Sequence, residues 1–256
     1  MKYLGPIFLI VEGLLMAAFS YCDLTGAILT ADKLKYTGIV LLVLMAVLYS
    51  LQSLRSHKER EKGADSSRKG LEKTKDKWKD VGKAYARPIV LTALVITMAA
   101  DTFLILLDTC YTLGTALFCL VETLYLIVLL PLSNEGEKRG LSKAVLGQLA
   151  VRAGLFLILI AVVKGMGVLD LLTALSMYSI SQLALSAVFC WKKGSCPRIF
   201  AVGIDLFLGC DLCVGLRNFP AYFPAFPREA AVAASLLIWL FYLPAQVLIA
   251  QSLKTR

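Results

Sequence analysis

Two aspartates, Asp101 and Asp211, lie inside long apolar stretches of a sequence that keeps most of its charges outside such stretches. Each stands thirteen residues after the start of its stretch, marked by Pro88 for the first and Arg198 for the second. A carboxylate in hydrocarbon costs a few kcal/mol, so such a residue is a candidate for function. Two neighbouring carboxyls cannot easily both ionise, so one can donate a proton while the other acts as a base. The matching depth predicts one shared polar pocket.

Further polar side chains within the apolar stretches could line the same cavity. Glu122 and Tyr125 share one predicted helix, and Tyr242 and Gln246 share another. The spacings of three and four residues place each pair on one helix face. Pro244 lies between Tyr242 and Gln246 and frees a backbone carbonyl that neighbouring groups must satisfy.

The other charged residues in these stretches have ordinary structural explanations. We expect Arg152 to form an ion pair with one of the buried acids, and Glu12 could be a structural hydrogen-bond partner. The rest of this set is Asp205, with Asp108 and Asp170 close to helix ends.

The composition indicates an integral membrane protein rather than a soluble enzyme or a nucleic-acid-binding protein. Of the 256 residues, 58% are hydrophobic, and the mean hydropathy is +0.73. The net charge of +9 is concentrated, because twelve of the 27 Lys and Arg residues lie between Arg55 and Arg87. The seven cysteines lie within or at the ends of apolar stretches and are expected to pack as small hydrophobes. With His57 as the single histidine, neither a histidine-rich metal site nor a cofactor is expected.

Eight apolar stretches are long enough to span the membrane as helices. The sequence therefore predicts an all-α, polytopic membrane protein with one membrane domain over residues 1–256. A charged loop over residues 54–87 could be partly helical, and it either attracts anionic lipid headgroups or serves as a solvated spacer. The predicted helices cover residues 4–22, 36–53, 88–107, 110–131, 145–163, 167–190, 198–216 and 230–252.

The distribution of basic residues predicts the orientation of these helices. With the N-terminus in the cytoplasm, the inner segments carry 21 Lys and Arg residues and the outer segments carry five. Basic residues concentrate on the cytoplasmic side of membrane proteins. We therefore predict a multi-pass protein of the cell membrane with both termini in the cytoplasm.

The two aspartates also hold corresponding places in the two halves of the chain. Each lies in the third predicted helix of a group of four, and Met98–Asp101 is similar to Leu208–Asp211. Because both helices run in the same direction, the pattern predicts a possible parallel 4+4 repeat about an axis along the membrane normal.

Five segments of the chain carry a resemblance to known membrane proteins: 93–101, 111–118, 124–125, 203–211 and 242–250. They are similar to segments of the YhhN-like family, whose members are eight-helix membrane proteins that include the lysoplasmalogenases. Lys35 is similar to a basic residue that the family has just before its second helix. Three residues depart from the family pattern: Ala100 stands where glycine is usual, Cys210 stands where serine or a near variant is usual, and Glu122 stands near the position of a common histidine. The last change alters the charge and the proton-transfer options of the site.

The resemblance implies hydrolysis of the vinyl-ether bond of lysoplasmalogen to a fatty aldehyde and a glycerophospho-base. It implies that Asp101 and Asp211 are the catalytic acid and base. Glu122, Tyr125, Tyr242 and Gln246 would bind substrate by orienting water and the headgroup. The expected partners are a lysophospholipid or ether-lipid substrate and membrane lipids, with no nucleic acid. The alternative is a non-enzymatic protein, either a proton-coupled transporter or a lipid-binding family member.

Overall fold

The computed structural model describes residues 4–64, 76–133, 141–162, 167–192, 194, 196–218, 220 and 225–253. These residues form eight helices and, over the ranges just given, no strand, which confirms the predicted all-α class. The helices are α1 (Leu4–Leu24), α2 (Ile28–Ala64), α3 (Asp76–Asp101), α4 (Tyr111–Ser133), α5 (Leu141–Val162), α6 (Val168–Lys192), α7 (Arg198–Asn218) and α8 (Arg228–Gln251).

Seven of these helices contain a segment long and apolar enough to cross a membrane, which makes the chain a multi-pass membrane protein. The exception is α5, whose apolar stretch within the described residues is Leu149–Ile158. An eighth crossing by α5 therefore stays a prediction. The seven segments are Pro6–Leu24, Ile28–Gln52, Ala86–Leu106, Tyr111–Leu129, Val168–Lys192, Arg198–Asn218 and Arg228–Gln251.

The helices on either side of the predicted charged loop are longer than their apolar stretches. Helix α2 continues to Ala64 and α3 begins at Asp76, so much of the segment 54–87 is helical, and residues 65–75 lie outside the described part. Lysine and glutamate are good helix formers, and extending an existing helix avoids the cost of nucleation. The charged segment is therefore helical over 54–64 and 76–87, and its charges do not end the two helices.

Helix α2 also begins earlier than predicted, at Ile28 rather than near residue 36. Lys35 thus lies within the helix instead of before it. Its ammonium group donates to Asp23 Oδ1 at 2.9 Å and to Asp32 Oδ1 at 3.2 Å. Because the charge is paired, the lysine can be buried without ending the helix.

Six helices pack in a closed ring, and two lie outside it. Around the ring, α2 contacts α3, α3 contacts α4, α4 contacts α6, α6 contacts α7, α7 contacts α8, and α8 returns to α2. Helix α1 lies outside against α2 and α8, and α5 lies outside against α4 and α6. The interior of the ring is the hydrophobic core, with Leu42, Leu94, Leu129, Ile204 and Phe207 fully buried.

The helix contacts are similar in the two halves of the chain. Exchanging the first four helices with the last four turns the pairs α1–α2, α2–α3 and α3–α4 into α5–α6, α6–α7 and α7–α8, all of which pack. The same exchange turns α2–α8 into α6–α4, which also packs. The contact of α3 with α8 has no counterpart between α7 and α4 in the described residues. The halves therefore share most of their pattern of helix contacts, and the parallel 4+4 repeat stays a prediction.

Close approach of α7 and α8 depends on two glycines. A Cβ atom at Gly203 would stand 2.9 Å from Ile249 Cγ1 and 3.1 Å from the backbone oxygen of Ala245. One at Gly209 would stand 3.1 Å from the ring of Phe241. Small residues at helix contacts let backbones approach in a membrane, where lipid competes with apolar side chains. These contacts fix α8 against the helix that carries Asp211.

Candidate functional site

Asp101 is the last residue of α3 and is only 2% exposed. A π-helical segment, Thr102–Leu106, follows it directly, with the Leu107 N–H donating to the Thr102 carbonyl at 2.9 Å. Such segments are often found at functional sites, because the wider turn redirects the side chains around it. On the other side, the Tyr36 hydroxyl of α2 hydrogen-bonds Thr102 Oγ1 at 2.9 Å. The helix end that carries Asp101 is thus held inside the ring.

The carboxyl of Asp101 accepts a hydrogen bond from the Tyr242 hydroxyl of α8. Tyr242 is itself buried, and its ring packs edge-on against Trp239 at a centroid distance of 5.6 Å. The ring of Phe207 lies tilted against it at 6.1 Å. The ammonium of Lys35 lies 5.2 Å from the Trp239 ring centroid. A continuous row therefore connects the Lys35 ion cluster with Asp101 through two aromatic rings.

Glu122 of α4 and Asp211 of α7 form a second group. Glu122 is fully buried, and the Ser176 hydroxyl of α6 donates to its Oε1 at 2.6 Å. The other oxygen, Oε2, has no hydrogen-bond partner among the described residues. Asp211 is partly buried, and its carboxyl is close enough to interact electrostatically with that of Glu122. The structure therefore gives Asp211 an acidic neighbour from the opposite half of the chain.

The buried thiol of Cys210 is close to both groups. It interacts electrostatically with the carboxyls of both Asp211 and Asp101. No hydrogen bond joins the two aspartates to each other in the described part of the chain. The residues predicted from sequence thus come together as two adjoining groups: Asp101 with Tyr242, and Asp211 with Glu122.

Tyr125 and Gln246 are also buried in this region. The Tyr125 hydroxyl lies beside Thr97, whose own hydroxyl donates to the Ala93 carbonyl at 2.9 Å. Neither side-chain polar atom of Gln246 has a partner among the described residues. Gln246 lines a small cavity together with Thr97 and Tyr242, with room for about one water molecule. Its amide therefore adjoins the Asp101 group.

The remaining charged residues lie away from this centre. Asp205 is exposed on the outer side of α7, and Asp108 is exposed in the turn before α4. Glu12 is buried between α1 and α2, where a Cβ atom at Gly38 would stand 3.0 Å from its Oε2. None of these three contributes to the two acidic groups.

Arg152 of α5 does not form the ion pair expected from the sequence. It is 6% exposed, and its Nη1 donates to the Thr123 hydroxyl, while no acid among the described residues lies within 4.0 Å of its nitrogens. It acts on Glu122 electrostatically over a longer distance. The prediction failed because α5 lies outside the ring, where Thr123 rather than a carboxylate meets the guanidinium.

Sequence reasoning missed Ser176 and Trp239, which position Glu122 and Tyr242. Trp239 stands three residues before Tyr242, a spacing that could have indicated a shared helix face. Ser176 carries no comparable local signal, because its partner is 54 residues away in sequence.

Comparisons with known proteins identify the family of the chain. No curated protein and no solved structure matches it. The YhhN family model matches residues 78–253, which include the described parts of α4 to α8 and nearly all of α3, and therefore both acidic groups. Helices α1 and α2, with Lys35, lie before the matched region. The chain belongs to the YhhN family.

Proposed function

We propose that this protein is a membrane lipid hydrolase of the lysoplasmalogenase type, which cleaves the vinyl-ether bond of a lysoplasmalogen. The observation that carries the proposal is the convergence of three carboxyls, from Asp101, Asp211 and Glu122, inside a ring of membrane helices. Acids at such depth are costly, so their presence on three separate helices favours a chemical role.

The reaction needs a proton on carbon, stabilisation of a cation and an attacking water. Protonation of the vinyl carbon remote from the oxygen gives an oxocarbenium ion, and water adds to its charged carbon. The resulting hemiacetal breaks its bond to the glycerol oxygen, which takes up a proton and leaves as an alcohol. One water is consumed, and the products are a fatty aldehyde and a glycerophospho-base. Two carboxyls in opposite protonation states supply the acid and the base.

In this proposal Asp101 and Asp211 are the catalytic acid and base, in either order. Glu122 beside Asp211 favours a single proton shared by that pair, because two adjacent carboxylates repel each other. Tyr242 orients Asp101 by its hydrogen bond. Gln246 lines the small cavity and Tyr125 lies beside Thr97 in its wall, and both orient water and the reacting end of the lipid.

Aldehyde release from a lysoplasmalogen by the purified protein in detergent tests this function. Asp101→Asn and Asp211→Asn should each lower the rate by at least about a hundredfold, since each removes a proton-transferring group. Asp205→Asn is the matched control, because Asp205 lies on the same helix as Asp211 but on its exposed side. Normal turnover in both site variants would refute the assignment.

A proton-coupled transporter is the second candidate, and Glu12 favours it. This acid is 3% exposed, and neither of its oxygens has a partner among the described residues, as in a proton-carrying site. Substrate-dependent proton flux into liposomes without product formation would support transport. Lipid binding without flux and without product would support a lipid-binding protein.

The 21 to five distribution of basic residues supports insertion in the cell membrane with both termini in the cytoplasm.

A further inference from the structure

A groove opens at the side of the bundle between α4, α5 and α6. Its apolar lining includes Leu120, Leu149, Phe156 and Leu175, and Thr123 and Arg152 provide polar groups. Its volume is about 320 Å³, which is at the lower end of the usual range for small-molecule pockets. The groove exists because α5 packs only against α4 and α6 among the described helices.

One edge of the Arg152 guanidinium lacks an acceptor among the described residues. Its Nη1 is bonded to Thr123, but Nε and Nη2 have no hydrogen-bond partner among the described residues. These two nitrogens form one edge of the guanidinium, which binds two oxygens of a phosphate or carboxylate in parallel. A buried guanidinium with a free edge is costly, so an anion from outside the chain is the missing partner.

We propose that the groove binds a single-chain phospholipid, with its phosphodiester on the free edge of Arg152 and its chain against the apolar walls. A phosphodiester carries two free oxygens and a negative charge, which match this edge. The groove faces the lipid side of a membrane helix bundle, where an amphiphile with one chain can enter laterally. Because both nitrogens are buried, the proposal requires α5, which contacts only α4 and α6 among the described helices, to move outward and uncover this edge.

The lipid class rests on the proposed function, and the position of Arg152 suits that function. Its hydrogen-bond partner Thr123 is the residue after Glu122, so the phosphate would lie next to the Glu122–Asp211 group. Only a few bonds separate the phosphate of a lysoplasmalogen from its vinyl ether. A phosphate on Arg152 would therefore present that bond to the acids.

Binding of a non-hydrolysable lipid to the purified, delipidated protein tests this proposal without turnover. The probes are a saturated 1-O-alkyl lysophosphatidylethanolamine and the 1-O-alkylglycerol with the same chain, which lacks the phosphate. Arg152→Gln should weaken binding of the phospholipid about tenfold or more and leave the alkylglycerol unchanged. Arg217→Gln, at the exposed end of α7, is the control and should change neither.

A second variant fills the groove without changing the arginine. Ala153 lines the groove and is exposed, so Ala153→Trp should weaken binding of both lipids, whereas Ile158→Trp on the exposed part of α5 should not. Equal phospholipid binding by the wild type and Arg152→Gln would overturn the proposal, as would an equal loss of both lipids in Arg152→Gln. Full binding of both lipids by Ala153→Trp would also overturn it. Arg152-dependent binding without aldehyde release would support the groove and refute the proposed hydrolysis instead.

Discussion

The two halves of the molecule place an aspartate at corresponding positions but surround it differently. Asp101 on α3 is almost fully buried and accepts a hydrogen bond from a neutral tyrosine of α8. Asp211 on α7 is partly buried and has the acid Glu122 of α4 as its neighbour. The same helix arrangement thus supports one solvent-shielded, hydrogen-bonded carboxyl and one carboxyl in an acidic pair.

The difference begins in the helices that face the aspartates. Tyr125 and Tyr242 each stand fourteen residues after the first residue of their helix, α4 and α8. Three residues before these tyrosines, α4 has Glu122 where α8 has Trp239. The two helices thus carry a tyrosine at the same place and differ by an acid and an aromatic ring three residues before it.

The outer helices extend this contrast. Helix α1 brings Glu12 against α2, where Gly38 allows close approach. Helix α5 brings Arg152 against α4 and leaves a groove beside it. Among the described helices, the second half therefore carries an open groove at its outer helix.

The largest expected effect is a difference in lost activity between substitutions of Glu122 on α4 and of Tyr242 on α8. Glu122→Gln should lower kcat/KM for lysoplasmalogen about a hundredfold, because it removes an ionisable group from the pair. Tyr242→Phe should cost about tenfold, since it removes one hydrogen bond to a carboxyl. Steady-state kinetics of both variants measure the contrast. Glu122→His, which keeps an ionisable group at this position, should keep more activity than Glu122→Gln. Equal losses in all three variants would contradict the proposed difference.

A second prediction compares the equivalent interfaces α7–α8 and α3–α4. Gly203→Ala should lower stability by about 1–3 kcal/mol, because its Cβ would meet backbone atoms of α8. At Gly114 an added Cβ would lie 2.5 Å from Leu104 Cγ, but this obstacle is a side chain that can change rotamer. Gly114→Ala should therefore destabilise less. Thermal unfolding in detergent measures both, with Gly215→Ala, which meets no atom within 4 Å, as the control.

The smallest effect concerns the support of Glu122. Ser176→Ala removes the 2.6 Å hydrogen bond to Oε1 and should lower kcat/KM by about three- to tenfold. Ser181→Ala is the matched control on the same helix, because Ser181 donates to the Met177 carbonyl of its own helix at 2.8 Å. A loss of the same size in both variants would mean that Ser176 supports the fold of α6 rather than the acid.

The sequence predicted the class of fold and the principal acids because both follow from the cost of placing polar groups in hydrocarbon. Asp101, Asp211 and Glu122 stood out by their depth in apolar stretches. The extension of α2 past Gln52 was not predicted from the sequence, because a charged segment can continue a helix as readily as end it.

The order of the helices around the ring could not be predicted in the same way. Lipid tails are as apolar as leucine, so an apolar helix face does not specify its partner in a membrane. For this reason the pairing of Glu122 with Ser176 and the exclusion of α5 from the ring, which leaves Arg152 without an acid, emerged only from the packing.

Hydrolysis of lysoplasmalogen in D₂O tests the central claim most directly. If buried carboxyls protonate the vinyl carbon, the wild-type protein and Asp205→Asn should release a fatty aldehyde with one deuterium on the carbon next to the carbonyl. Asp101→Asn and Asp211→Asn should release at most about a hundredth as much. Mass spectrometry of the trapped aldehyde gives both the amount and the label. Absence of aldehyde from the wild-type protein, aldehyde without deuterium, or undiminished release by both variants would contradict the account.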